Sequence, residues 1–268
     1  MKRFAIWVTG FFVAMMMFFS MDAAWAGLVI KERIQTENGM ETILTYIEGD
    51  MVKNVMSDGT YVIIDLTKRE MIEVNPAKRQ YSVIKIDEIK KEMDQAMSKM
   101  KEQLAGLPPE QRAMIEQMMG EMMGSKAAPG SVTVKKTGQH AKVAGFRADQ
   151  YRIMQNGKPV MEVWLSPDLL KYMKKEMDSA KIKAFERAMD SLDEMLSMMP
   201  MGSDNVFKKM KELEKKGHIV KEVDLSDHGK PTVVSQVVAV QRRSIPRSEF
   251  LVPSGYKKVS WKGMEGAR

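Results

Sequence analysis

Between Leu28 and Ile86 the chain offers only short apolar–polar alternations, each cut off by turn chemistry before it reaches helix length, and this constrains the fold more than any other feature. Leu28, Ile30 and Ile34 alternate mostly with charged residues, and Ile43 to Ile47, Tyr61 to Leu66, Met71 to Val74 and Gln80 to Ile84 follow, with Gly49-Asp50 and Asp58-Gly59 as punctuation. Strands joined by links this short pair only antiparallel, because a parallel return needs a crossover of about a dozen residues or more. The stretch therefore predicts an antiparallel meander.

The period then changes. Ile86, Ile89, Met93, Met97, Met100 and Leu104 recur at three- and four-residue steps, the spacing of one helical stripe, while Lys, Glu, Asp and Gln occupy the other positions. Gly106 and Pro108-Pro109 break this helix, and Pro109-Glu110 opens a second in which Met114, Met118 and Met122 share one line and Ile115, Met119 and Met123 the next. Gly124 to Gly130 reads as a flexible connector.

Strand signals resume at Val132 and run through Gly145-Phe146-Arg147, Gln150 to Met154 and Val160 to Leu165, with Asn156-Gly157 as a hairpin turn between two alternating runs. Ser166-Pro167-Asp168 starts another helical stretch, in which Leu169, Met173 and Met177 align, followed by Ile182, Phe185, Met189, Leu192, Leu196 and Met199. Pro200 and Gly202 stop it, Val206, Met210 and Leu213 mark one more helix before Gly217, and Ile219 to Trp261 reads as strand again, with Asp227-His228-Gly229 as a turn. Strands, helices, strands, helices, strands is an α+β pattern, with helices gathered on one face of an antiparallel sheet. One domain over residues 27–268 is expected, with helical insertions at about 86–124 and 167–216.

The first 26 residues have a different logic. Lys2 and Arg3 precede an apolar run from Phe4 to Phe19, and Ala24-Trp25-Ala26 supplies the small-x-small pattern of signal peptidase, so cleavage after Ala26 is expected. The run is shorter than the roughly 20 residues a bilayer core requires, which argues against a transmembrane anchor once it is removed. The chain has no cysteine, hence no disulfide, no thiol catalysis and no lipid-bearing Cys at the mature start. A periplasmic location follows as the expectation. The net charge of +7 is spread through mixed pairs such as Lys90-Lys91 and Lys215-Lys216 beside Glu, a solvated helix face and not the basic stripe of a nucleic-acid binder.

Several short words resemble one exported bacterial family. Gly49-Asp50 entering a strand, Tyr61 to Asp65, Met71 to Pro76 with Tyr81, then Val143 to Phe146 leading to Tyr151, Glu162-Val-Trp164 and Ser166-Pro-Asp168 resemble a DUF4412-type domain, and Val252 to Tyr256 resembles its terminal strand. In outline the family is similar to lipoprotein carriers of the LolA/LolB type. The resemblance implies a curled antiparallel half-barrel wrapped around helices, with an apolar cavity, and none of these words is catalytic.

Catalytic chemistry finds little support in the residues. There is no Gly-x-Ser-x-Gly elbow and no phosphate-binding glycine loop. His140, His218 and His228 lie in or beside turns without metal-ligand spacing and read as surface histidines, and Asp224 with Asp227 reads as a solvated turn. Neither metal nor cofactor is expected.

The unusual feature is methionine, 28 of 268 residues and concentrated in the helices. Three readings fit: a buried helical stripe, an adaptable apolar surface, or thioether ligands for Cu(I) built from Met118, Met119, Met122 and Met123. The expectation carried forward is a non-enzymatic periplasmic binding protein for a lipid or a lipoprotein acyl chain. Met93, Met97, Met118, Met122, Ile182 and Phe185 would form its wall. An envelope protein docking on the Met-rich helices is the alternative partner.

Overall fold

The computed structural model describes residues 27–37, 39–106, 108, 111, 132–197, 205–226 and 231–260. The signal segment, the second Met-rich helix around Met114 to Met123, and the Asp227-His228-Gly229 turn lie outside them.

The first run is the expected meander: β1 (Leu28–Thr36), β2 (Gly39–Glu48), β3 (Met51–Val55), β4 (Tyr61–Asp65), β5 (Glu70–Asn75) and β6 (Gln80–Lys85) pair antiparallel in sequence order. The second run holds β7 (Val132–Val143), β8 (Phe146–Gln155), β9 (Lys158–Ser166), β10 (His218–Asp224) and β11 (Thr232–Arg242). β11 pairs antiparallel with β1 and joins both runs into one sheet, and β12 (Lys257–Lys258) adds a short parallel edge on β6. The order is β12-β6-β5-β4-β3-β2-β1-β11-β10-β9-β8-β7. The sheet is open: among the described residues, β12 and β7 take no partner on their outer sides.

Turn chemistry explains the pairing. Asn156 and Gly157, at φ 53° and 77°, form the two-residue link expected between β8 and β9, where both positions need a left-handed backbone. The β4–β5 and β5–β6 turns repeat one device. Asp65 Oδ1 accepts from Thr67 N and Lys68 N at 3.0 and 2.9 Å, and Asn75 Oδ1 accepts from Lys78 N at 3.0 Å. Each turn closes on an arginine at positive φ, Arg69 and Arg79.

Four helices are described, α1 (Ile86–Ala105), α2 (Pro167–Lys175), α3 (Ser179–Ser197) and α4 (Asn205–Glu214), with a 3-10 turn at Arg247–Phe250. α2 begins as the sequence indicated: the Ser166 hydroxyl accepts from Leu169 N at 3.1 Å and Pro167 occupies the first turn. The helical pattern running from Leu169 past Ile182 is broken at Glu176 to Asp178, although no Gly or Pro stands there. A long-range contact breaks it: Gly49 N donates to Glu176 O at 2.8 Å, and Asp178 N donates to Gly49 O at 3.0 Å. Asp178 then caps α3, its Oδ1 accepting from Ala180 N and Lys181 N at 3.0 and 3.2 Å.

Three cores hold the sheet. Leu169 of α2 is fully buried among Leu28, Ile30, Ile47 and Val237 on one side and Val143 and Ala148 on the other. Val29, Met51, Tyr61, Ile63 and Val74 bury the opposite face of β1 and β3–β5 under Ile245 and Phe250 of the C-terminal segment. Ile153, Val163, Leu165 and Ile219 lie under Leu213 of α4.

Two expectations need correction. The helices do not all gather on one face. Leu165 packs in the α4 core and its β9 neighbour Trp164 against the α2 core, and adjacent strand residues point to opposite faces, so α2 and α4 cover opposite sides of that part of the sheet. Nor is Val252 to Tyr256 a terminal strand. Pro253 and Gly255, the latter at φ 78°, make it a loop, and only Lys257–Lys258 pairs. The segment is held by its side chains, with Val252 and Tyr256 packed on the second core.

Candidate functional site

Direct register brings one apolar row across five strands: Ile47 faces Val52, Val52 faces Ile64, Ile64 faces Met71 and Met71 faces Ile84. Directly opposed residues share a face, here the one opposite the C-terminal segment. Ile47 is buried, whereas Val52, Ile64, Met71 and Ile84 are only half-buried, and the last three belong to none of the three cores.

The row lies at the end of the sheet from which α1 and α3 depart. α1 follows β6 without a linker, its first residue Ile86 buried and bonded through N to Arg69 O at 3.1 Å. α3 starts at the joint tied to Gly49, and the two helices pack on each other. Of the expected wall residues, Ile182 is buried and Phe185 half-buried near the start of α3, and Met93 and Met97 fall one turn apart on α1. The structure thus brings together the helices carrying four of the six. Met118 and Met122, like the other thioethers weighed for copper, lie outside the described residues.

The β2–β3 turn is also a polar node. Asp50 accepts from Thr67 Oγ1 at 2.6 Å, Arg247 Nη1 at 2.9 Å and Lys181 Nζ at 3.4 Å, so one carboxylate ties the β4–β5 turn, the 3-10 turn and α3 together. The Thr67 hydroxyl first, then Arg247 and Lys181, hold the Asp50 carboxyl well below the ordinary carboxylate range against the opposing effect of burial. Glu176, almost fully buried at the α2–α3 joint, pairs with Arg242 at 3.1 Å. Beside this node a cavity of about 200 Å³ opens between Glu48, Gly49, Arg247 and Phe250. Glu48 Oε2 is buried, out of reach of water, and takes no hydrogen-bond partner among the described residues.

A second group of carboxylates is carried by β1, β10 and α4, with β11 between the two strands. Burial pushes Glu222 up, and Glu32 and Glu214 add like charge to it. Glu32 and Glu214 are themselves raised by burial, opposed by a Ser235 hydrogen bond and by Lys211 respectively. His218 is half-buried at the start of β10, not a surface turn residue, and burial pushes its pKa down. His140 pairs through Nδ1 with Asp149 at 2.7 Å on the exposed β7–β8 hairpin. Asp224 accepts from Ser226 N at 2.7 Å as a turn former. Among the described residues no group of three His, Cys, Asp or Glu could hold a metal, and no helix is long and apolar enough to cross a membrane.

Sequence reading missed Glu48, Arg247 and Phe250. Gly49-Asp50 was legible as a turn, but nothing local ties it to residues almost 200 positions away.

The molecule is thus an α+β protein built on a large open antiparallel sheet, with an apolar row on one face and a polar node at the β2–β3 turn. The chain belongs to the family described as a domain of unknown function (DUF4412), whose model matches residues 111–256. The match takes in β7 to β11 and the C-terminal loop; the words at Gly49 to Tyr81 precede it. No curated protein matches the chain. Among solved structures, an uncharacterized conserved protein from Thermus thermophilus is similar at a TM-score of 0.39 and 9% identity, over 88% of this chain and 91% of that one. A PNGF-II structure in a C2 space group is similar at 0.38 and 9%, over 90% of this chain and 32% of that one, so this chain spans about a third of it.

Proposed function

We propose that this chain is exported, cleaved after Ala26, and acts in the periplasm as a non-enzymatic binding protein for an apolar ligand, a lipid or the acyl chain of a lipoprotein. The ligand lies between the half-buried row of Val52, Ile64, Met71 and Ile84 and the paired helices α1 and α3. Ile64, Met71 and Ile84 of that row are the observation that carries the reading: an aligned apolar strip left outside every described core loses free energy to water unless something covers it.

A curled, LolA-like sheet is the shape proposed for the site. Its support is the α2 core, in which residues of β1, β2 and β11 meet residues of β7 and β8 around Leu169 although β9 and β10 lie between them in the sheet. Strands are spaced by about 4.8 Å, so a concave sheet brings such distant strands to one helix more readily than a flat one. Methionine on α1 and α3 suits acyl chains of varied length, since thioether side chains repack without a fixed fit.

Detergent-free purification from the envelope followed by mass spectrometry of extracted lipid tests the proposal, together with uptake of a fluorescent fatty acid. Copurified lipid, and uptake weakened about tenfold by Ile64→Gln or Met71→Gln but not by Met40→Gln at the exposed hairpin tip, is expected. An empty protein that takes up no probe refutes it, and one crosslinked protein partner without lipid would replace it by an envelope interaction role.

A further inference from the structure

The sheet ends at β7, which pairs with β8 on one side and has no strand on the other among the described residues. A row of backbone N–H and C=O groups is thereby left for another chain. The mixed charge of the helices gives way here to one sign: residues 132–166, which run through β7, β8 and β9, carry six Lys and Arg against two carboxylates. Both carboxylates are already taken. Glu162 accepts from Arg152 Nε at 3.0 Å, and Asp149 stands 2.6 Å from Lys136 Nζ, 2.7 Å from His140 Nδ1 and 3.8 Å from Arg147 Nε. Lys142 lies directly opposite Arg147, and Lys135 directly opposite Arg152, like charges at positions where opposite ones would add stability. Lys136, His140 and Lys142 face Tyr151, Asp149 and Arg147, which alternate along β8, so these cationic side chains share one face of the sheet.

A second copy does not suit this edge, because pairing two β7 strands brings their lysines together, the device by which edge lysines block self-association. The same residues admit a strand of opposite charge. We propose that the free edge of β7 binds an extended acidic segment of a partner protein, which adds to the sheet as a further strand with Glu or Asp set against Lys136, His140 and Lys142. Backbone pairing supplies affinity in such an addition, and the carboxylates select the partner. A flat anionic surface would meet the charges and leave the backbone edge unpaired, so the edge decides for a peptide. The surface is separate from the apolar row, which lies on β2 to β6 beyond β1 and β8 to β11. Failure here leaves the apolar-ligand reading standing, and the reverse holds.

Titration of the ¹⁵N-labelled protein with a synthetic peptide of about ten residues, alternating Val and Glu, tests the surface. The peptide is expected to shift β7 amides saturably and to slow their hydrogen exchange, with the amides of β4 and β5 unchanged. Replacing its Glu by Lys, or N-methylating its backbone to remove the donors, should each weaken binding by about tenfold or more. Lys142→Glu, at an exposed position, should weaken binding of the acidic peptide about tenfold with folding intact by near-UV circular dichroism; Lys142→Gln serves if that variant does not fold. The proposal is overturned if no β7 amide responds, if the Lys peptide or the N-methylated peptide binds as tightly, or if the folded Lys142 variant binds unchanged. Flotation with phosphatidylglycerol vesicles that is lost in Lys142→Glu, while the peptide leaves β7 unmoved, would assign the charges to a membrane surface in its place. A dimer in sedimentation with β7 amides protected would assign the edge to a second copy.

Discussion

The Lys53 ammonium stands 4.4 Å from the centroid of the Tyr61 ring, diagonally across β3 and β4 on the face that carries the C-terminal segment. The same nitrogen lies 3.1 Å from Glu249 Oε2, and the Lys53 side chain is only 12% exposed. Lys53 therefore joins the meander to a residue 196 positions later in sequence, and burial of the tyrosine, with Tyr256 and Glu249 nearby, pushes the Tyr61 pKa up.

Removing the ammonium while keeping the stem should loosen that clamp. Lys53→Met is expected to cost about 1–2 kcal/mol in urea unfolding, from the lost ring contact and the lost partly buried pair. Glu249→Gln should cost less than about 1 kcal/mol, because Glu249 is 43% exposed and water replaces its partner. Equal costs would show that the ring contact contributes nothing.

Asp50 predicts an acid-sensitive node. Its folded pKa is depressed below the ordinary value of 3.8, so its contribution is fully present above that value and is lost as pH falls below it. Asp50→Asn should lower stability by roughly 1–2 kcal/mol at pH 7, a modest figure because Arg247 and Lys181 are largely exposed. The gap between the two proteins should narrow as melting curves are taken from pH 4 toward pH 2. A gap independent of pH would assign the loss to packing.

What the sequence disclosed and what it hid divide along the range of the interactions. Asn156-Gly157, the Ser166 cap, the meander and α4 before Gly217 were legible because each is decided within a few residues. β3 was not, since Lys53 and Asn54 interrupt its apolar pattern and the carboxylate that pairs with Lys53 comes from a segment far away in sequence. The break between α2 and α3 was hidden behind an unbroken Met173–Met177 spacing, because the bonds that make it come from Gly49. Candidate residues on α1 and α3 followed from helical period alone, whereas bringing Glu48 and Arg247 to one cavity needed the fold.

The Glu32, Glu214 and Glu222 group predicts the opposite pH response. All three folded pKa values are raised above 4.5, so the folded state holds their protons more tightly than the unfolded chain does. Their effect favours folding at low pH, and stability is lost as pH rises from the ordinary carboxylate value through the raised ones. Glu222→Gln removes a desolvated charge and its repulsion with two neighbours. It should stabilise by about 1 kcal/mol at pH 7.5 and leave stability near pH 4 unchanged, measured by urea unfolding at both. A variant destabilised at pH 7.5 would mean that the carboxylate holds a partner it needs.

Leu169 offers the sharpest test of whether the two strand runs behave as one body. It is 0% exposed, and its core draws on β1, β2 and β11 from one side and β7 and β8 from the other, so a cavity there weakens both. Leu169→Ala should cost roughly 3–4 kcal/mol, the transfer free energy of the lost atoms plus the unfilled space, while Leu169→Met should cost under about 1.5 kcal/mol because the volume is kept. Ser166→Ala, which removes the cap that fixes α2 on the sheet, should cost about 1 kcal/mol. Hydrogen exchange on Leu169→Ala gives the decisive pattern. If α2 unites the runs, slowly exchanging amides in β1–β2 and in β7–β8 lose protection by the same factor. Loss confined to β7–β8, with the meander from β1 to β6 still protected, would show that the first run is stabilised by the C-terminal clamp at Lys53 and Phe250 and owes little to the helix.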